Sequence, residues 1–396
     1  MIDQKKIEVQ AEGYLKWVDS GENSILEMAT GTGKTWVALR AMLHNVSQGG
    51  SVLFLAERVG REAGVRHEIN KFNTHFNVNI LAGVELEFAC YQAAYKWSNK
   101  HWNLVIADEV HEVGEQYVRF FKNNTYDKFM GLTATLNNNS EYTIGSRRYT
   151  KREFLETFVA PVSFTYSLSQ AQEGGVSRKA KVYFLEHTMF EKNKTIKISP
   201  NYFVTERESY NYWSKLIDDT YEIGKNEEIP RFPNDKERAI IKKAQLMRAS
   251  LLYKISSKVH TTKEVIKRLK GRTIVFMNSL ETLKLITPFA VGHKIPKSQE
   301  IIERFRNKEI DLIGSFKLIQ QGENFPDVDN CIISSYYSSD GPLIQRIGRL
   351  RSADSEGTIV ILYTKDTVEE EWIEKFLNEL SSYEIIKIKS VDEIKI

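Results

Sequence analysis

The stretch Met28-Ala29-Thr30-Gly31-Thr32-Gly33-Lys34-Thr35 decides how the rest of the chain is read. It comes after a short apolar run at 24–26 and leads into Trp36-Val37-Ala38-Leu39, which reads as the start of a helix. A strand, a glycine loop and a helix N-terminus together make a phosphate cradle. Loop N–H groups and the helix dipole face the anion, Lys34 adds a point charge, and the Thr35 hydroxyl is suited to Mg²⁺. The general pattern wants a glycine five places before Gly33, and Met28 stands there. Taken alone, the stretch is an incomplete match that a glycine turn in any α/β protein would also satisfy. Its meaning depends on the motifs downstream and their spacing.

Working outward, short apolar runs at 52–55, 86–89, 104–107 and 129–132 have the length of buried parallel strands. Polar helical segments separate them, for example 113–122. Such alternation predicts a parallel sheet with helices on both faces and ligands at the carboxyl ends of the strands. Two motifs sit at such ends. Ile106-Ala107 runs into Asp108-Glu109-Val110-His111. The first carboxylate suits Mg²⁺ through its water shell, and the second suits orienting or deprotonating an attacking water; a helix N-cap would use the same residues. Gly131-Leu132-Thr133-Ala134-Thr135 is another strand ending in hydroxyls, where a simple turn is the plainer alternative.

With 396 residues the chain is too long for one ordinary core, and two domains are expected. A composition 41% apolar and 27% charged argues against disorder. The absence of a signal peptide or a bilayer-length apolar run predicts a cytoplasmic address and no membrane partner. Cys90 and Cys331 lie in apolar segments without metal-type spacing, which predicts buried, reduced side chains. The net charge of +3 is small, but between Arg231 and Arg272 there are 13 Lys/Arg against 3 Asp/Glu. Concentrated basic charge is a footprint for nucleic acid or, equally, a solvated helix face.

Arg147, Arg148, Lys151 and Arg152 form a smaller basic cluster, and Gln172-Glu173-Gly174-Gly175 is the best linker candidate. A helix over 205–223 opens with a capping box, Thr205 and Glu208. Another is predicted over 235–257, with Ile240, Ala244, Met247, Leu251 and Ile255 in helical register. Runs at 181–185, 273–277, 310–313, 331–333 and 358–362 then repeat the strand pattern, and a last helix is predicted over 368–380.

Between two of these strands lies Gln345-Arg346-Ile347-Gly348-Arg349-Leu350-Arg351. Three arginines around a glycine are costly in a helix that buries one face. They make sense if the guanidinium groups point at phosphates across a domain cleft.

With this segment in place the chain resembles the superfamily 2 helicases and nucleic-acid translocases, in order and over nearly the whole length. The phosphate loop is similar to motif I, which in this superfamily commonly lacks the first glycine. Asp108-Glu109-Val110-His111 resembles the DExH form of motif II, and Thr133-Ala134-Thr135 resembles motif III. Phe276-Met277-Asn278-Ser279 resembles motif IV, Gln321-Gly322-Glu323-Asn324-Phe325-Pro326 motif V, and the arginine segment motif VI. Within the superfamily the likeness is to the XPB-like and UvsW-like group.

The resemblance implies an α/β fold of two RecA-like parallel-sheet lobes in tandem, at 1–172 and 173–396, with a helical, partly basic insertion or linker at 190–257. It implies an ATP-dependent helicase or translocase that remodels or unwinds duplex or branched DNA. An RNA helicase and a motor subunit of a larger restriction or repair assembly are the alternatives, and a monomeric motor is one option for the oligomeric state. ATP is expected on Gln10, Thr30, Gly31, Thr32, Gly33, Lys34 and Thr35, with Gly322 and Asn324 from motif V and Mg²⁺ on Thr35 and Asp108. Lys34 and Glu109 are the expected catalytic residues, joined by Arg349 and Arg346 as arginine fingers. Arg58, Gln92, Ser315, Lys317, Lys242 and Lys243 are the expected nucleic-acid contacts, made to DNA in single-stranded, duplex or branched form.

Overall fold

The computed structural model describes residues 4–46, 49–56, 61–134, 136, 141–144, 146–176, 179–199, 201–225, 231–292, 295–316, 328–335, 357–380 and 383–395. These fall into two compact units, the first ending at Val176 and the second starting at Lys179. Among the described residues no helix is long and apolar enough to cross a membrane.

The first unit is built on β1 (Asn23–Met28), β2 (Ser51–Ala56), β3 (Glu85–Cys90), β4 (His101–Asp108) and β5 (Thr125–Thr133). A separate antiparallel hairpin, β6 (Glu141–Ile144) and β7 (Arg147–Thr150), precedes the last strand of the sheet, β8 (Val162–Tyr166). The sheet order is β3-β2-β4-β5-β1-β8, with parallel pairing throughout. Its strands are apolar runs because helices cover both faces, and two clusters, one around Val37, Phe54 and Ile106 and one around Leu53, Val105 and Phe129, form the cores on either side. The helix Gln4–Asp19 is held to β5 by Trp17, whose indole N–H donates to the Phe129 carbonyl at 2.7 Å. Both cysteines are buried and neither is in a disulfide, as expected.

Two local expectations are corrected here. The segment 113–122 is not one helix: Val110–Glu112 is a 3₁₀ turn, and the α-helix spans only Val118–Asn123. Val113 is fully buried and Gly114 comes next, so the chain turns there instead of winding on. The linker candidate is partly helical. Ser167 and Gln170 form a capping box that starts the helix Leu168–Glu173, and Gly175, at φ +71°, lies just past its end.

The second unit contains β9 (Ala180–His187), a small antiparallel pair β10 (Ile196–Ser199) and β11 (Tyr202–Val204), then β12 (Thr273–Met277), β13 (Ala290–Val291), β14 (Leu312–Phe316), β15 (Asn330–Ile333), β16 (Gly357–Thr364) and β17 (Glu384–Ile388). Its parallel sheet runs β13-β14-β12-β15-β16-β9-β17. Between β11 and β12 the helices Glu206–Lys225 and Asp235–Lys254 pack against each other. The Thr205–Glu208 box is present, with the Thr205 N–H on Glu208 at 2.8 Å and the Glu208 N–H on Thr205 at 3.1 Å.

The second of these helices stops at Lys254 and does not run to Ser257. Ile255 is extended and buried, and a new helix starts at Ser256. Glu206 fixes this break: it accepts from the Ser256 hydroxyl, the Ser257 N–H and the Ser257 hydroxyl. The buried stripe is also turned from the expected one. Ile241, Ala244, Leu251 and Leu252 are buried, whereas Ile240 and Met247 face solvent, because the packing partner lies on the 241/244 side.

The basic excess is divided by the fold. Lys258 is buried and bridged to buried Glu369 at 2.7 and 2.8 Å, Arg231 pairs with Glu237, and Arg272 donates to the Phe305 carbonyl and lies over its ring. Lys242 and Lys243 stay exposed. Removing one partner of a buried pair leaves a buried charge, so Lys258→Met is expected to lower unfolding stability by about 3–5 kcal/mol, and Lys258→Met with Glu369→Leu to recover most of it. Urea unfolding of the three proteins checks this.

Candidate ATP site

Because β1, β5 and β4 are neighbours, the loops that leave them are brought to one edge of the first sheet. Glu27 on β1 pairs with Thr133 on β5, and Asp108 on β4 pairs with Leu132. The phosphate loop, the DExH residues and Thr133 therefore share one edge, as the motif order requires.

Gly31 and Gly33 both have left-handed backbones, φ +89° and +86°. Gly33 caps the helix Lys34–Asn45 and has no side chain to bond the N–H groups of the first turn. A Cβ on Gly33 would lie 2.2 Å from Gln10 Nε2. Gln10 is buried and donates to the Thr32 carbonyl at 2.9 Å, and the Thr32 hydroxyl returns to the Ala29 carbonyl at 2.8 Å. The buried Thr30 hydroxyl has no partner among the described residues, and Lys34 Nζ donates to the Met28 carbonyl at 3.3 Å. Uncapped helix N–H groups, a buried hydroxyl and an ammonium on one loop are the donor set that a nucleotide phosphate chain needs, and the residues fit it. Thr35, in the first helical turn, is the hydroxyl that would face the accompanying metal ion.

Asp108 ends β4 with its side chain 3% exposed, and Arg61 balances it, with Nε and Nη2 both 2.9 Å from Oδ2. That carboxylate holds the Arg61 guanidinium more firmly protonated against the opposing effect of burial. The Tyr91 hydroxyl donates to the Asp108 carbonyl at 2.9 Å, so the tyrosine beside Gln92 fixes the strand end while Gln92 itself is exposed. Glu109 then takes a left-handed backbone, φ +50°, and opens the 3₁₀ turn. A non-glycine residue held there costs about 1–3 kcal/mol, and six other non-glycine residues among those described also have positive φ. His111 lies 3.4 Å from Glu109, 3.2 Å from Glu112 and 3.0 Å from the Thr133 hydroxyl. Burial pulls the His111 pKa down, but the Glu112 hydrogen bond and the charges of Glu109 and Glu112 outweigh it, and the imidazole is raised above its ordinary value. One histidine thus touches both strand-end motifs.

Other expected residues fall elsewhere. Ser315, expected as a nucleic-acid contact, is fully buried on β14 between β12 and β13, so it is not a surface contact. Arg58, Thr135, Lys317, Gly322, Asn324, Arg346, Arg349 and Arg351 lie outside the described residues. Sequence reasoning missed Arg61 and Glu27. Nothing in the linear order pairs positions 61 and 108, and Glu27 reads as an odd polar residue in an apolar strand.

Strand order and loop placement give the first unit the P-loop fold of a RecA-like lobe. Residues 4–138 match the family described as "Type III restriction enzyme, res subunit", and residues 257–354 match the "Helicase conserved C-terminal domain". The chain is 24% identical over 381 residues, 91% of its own length and 82% of the relative's, to "DNA 3'-5' translocase XPB2" of Sulfurisphaera tokodaii. Two solved structures share the fold. The helicase domain of Hef from Pyrococcus furiosus has a TM-score of 0.54 at 16% identity, over 95% of this chain and 100% of that one. The Type ISP restriction-modification enzyme LlaBIII, bound to DNA, has a TM-score of 0.59 at 14% identity, over 99% of this chain and 32% of that one. The chain belongs to superfamily 2 of the helicases, whose members are nucleic-acid-dependent ATPases.

Gly33→Ala is expected to weaken nucleotide binding by about tenfold or more, since the left-handed backbone and Gln10 both oppose a side chain there. Titration with a fluorescent ATP analogue measures it.

Proposed function

We propose that this chain is a DNA translocase or helicase that couples ATP hydrolysis to movement along duplex or branched DNA. One observation carries the reading: the phosphate loop with Lys34 and the Asp108–Glu109 strand end converge on one edge of one sheet. The likeness to a relative named as a DNA 3'-5' translocase, along 91% of the chain, supports DNA as the track and makes that direction the first to test.

In this reading the phosphate chain of ATP rests on the N–H groups of Thr30 to Thr35, with the Lys34 ammonium beside it. Bound Mg²⁺ would supply charge neutralisation, held by the Thr35 hydroxyl and by Asp108 through water. Glu109, turned out of the strand by its left-handed backbone, orients the attacking water and accepts its proton. His111 keeps Glu109 in place through its contacts to Glu112 and Thr133. Arg349 and Arg346 are proposed from their motif as the arginines that stabilise transition-state charge. Gln92, Lys242 and Lys243, all exposed, are proposed as DNA contacts, and Arg58 and Lys317 are proposed from sequence position alone.

Lys34→Ala and Glu109→Gln are each expected to lower DNA-stimulated ATP turnover by about 10²–10⁴-fold without unfolding the protein. Phosphate release measured with single-stranded DNA, duplex, fork, four-way junction and single-stranded RNA tests both the assignment and the track. Normal turnover in either variant refutes the assignment, and stimulation by RNA alone refutes DNA as the track.

Charge reversal of Lys242 and Lys243 to glutamate is expected to weaken DNA binding and to make its salt dependence shallower by about 2 in the log–log slope. Unchanged affinity across a salt series would mean that this face is only solvated.

A further inference from the structure

The hairpin β6–β7 and the helix Lys151–Phe158 come after the Thr133 strand end and have no part in the mechanism above. Two consecutive residues tie this element to both halves of the ATP site. Lys151 is 2% exposed; its Nζ donates to the Val113 carbonyl at 3.0 Å and lies 4.4 Å from the centre of the Tyr142 ring on β6. Val113 closes the turn that Glu109 opens, its N–H returning to the Val110 carbonyl at 3.0 Å. On that turn His111 sits between Glu112 and Glu109, so basic and acidic groups alternate from Lys151 through Glu112 and His111 to Glu109.

Arg152 reaches in the other direction. Its Nη2 donates to Glu27 at 2.6 Å, and Glu27 also accepts the Leu136 N–H at 2.8 Å and the Thr165 hydroxyl at 3.3 Å. Glu27 directly precedes Met28, whose carbonyl holds the Lys34 ammonium. The strand leading to the phosphate loop and the turn carrying Glu109 are therefore fastened to the same helix N-terminus.

A buried ammonium is a poor choice if packing is all that is needed, because an apolar side chain of similar volume fills the space without a desolvation cost. Burial lowers Lys151 to about 8, with the Glu112 charge pulling it back up, so it still carries charge at neutral pH. The cost makes sense if the charge has a task. We propose that Lys151 is a positioning residue for hydrolysis: by holding the Val113 carbonyl it sets the Glu109 turn against the phosphate-loop strand, which Arg152 and Glu27 anchor from the other side. The inference rests on Glu109 acting on the attacking water.

The test compares wild type, Lys151→Met and Lys151→Arg for kcat and KM of DNA-stimulated ATP hydrolysis, affinity for a fluorescent ATP analogue, and melting temperature. Lys151→Met is expected to keep nucleotide affinity and to lose about tenfold to a hundredfold in kcat. Lys151→Arg, which keeps donor and charge, is expected to recover most of the loss. Affinity and melting temperature falling in step with kcat overturn the inference, as does an unchanged kcat. If Lys151→Met does not fold, Lys151→Gln, which removes the charge and keeps a polar side chain at the same place, takes over the comparison. The same selective loss of kcat supports the coupling, and an unchanged kcat refutes it. A wild-type protein with no ATPase activity refutes the underlying reading instead, and that is evident before any variant is compared.

Discussion

The carboxylate of Asp108 is almost fully buried, a placement that is costly without a paired cation, and the rest of the ATP edge is arranged around that pairing. Arg61 supplies the counter-charge directly. The parallel sheet does the remainder, because adjacency of β1, β5 and β4 leaves their exits no choice but to share a small volume. Opposite charges then interleave there: Lys34 near the phosphate loop, Glu109 on its strained turn, and His111 between two glutamates. Each group there is held by its neighbours, so a change at one is felt at the next.

The second unit handles charge differently. Much of the basic excess between Arg231 and Arg272 belongs to structure: Lys258 closes a fully buried pair with Glu369, and Arg272 is folded onto Phe305. What remains exposed, Lys242 and Lys243 among it, lies on a helix whose buried side packs against the helix Glu206–Lys225. Both readings of that stretch, a footprint for nucleic acid and a solvated face, therefore concern only the residues left exposed. Counting charges along the sequence mixes these with the buried ones, and burial separates them.

The central strands and their parallel pairing were legible because fully buried strands are written as unbroken apolar runs, as at 52–55 and 273–277, whereas the edge strands β8 and β17 were not. The phosphate loop was legible from its glycines, which answer to a positive φ that few other residues tolerate. Side-chain partners far apart in sequence were not. Arg61 meets Asp108, Arg152 meets Glu27 and Glu206 meets Ser257 only because the sheets bring distant segments together. The helix stripe at 240–255 was misjudged for a related reason: several adjacent apolar positions fit a 3.6-residue period, and only the packing partner decides that Ile241, not Ile240, turns inward. The helix that runs into the expected linker was missed because glycines were weighed above the Ser167–Gln170 capping box.

The position of β9 bears on the order in which the two units can form. In the first unit the sheet is complete once β8 has been made, at Tyr166. In the second, β9 is the first strand in the chain yet pairs with the last two, β16 and β17. Its row of backbone donors and acceptors stays without its β16 partner until about 170 further residues have been made. A strand that waits so long with open edges, in a run as apolar as Val182–Leu185, is exposed to wrong partners throughout synthesis. The N-terminal unit can therefore be finished early, while the C-terminal unit closes only with its final strands.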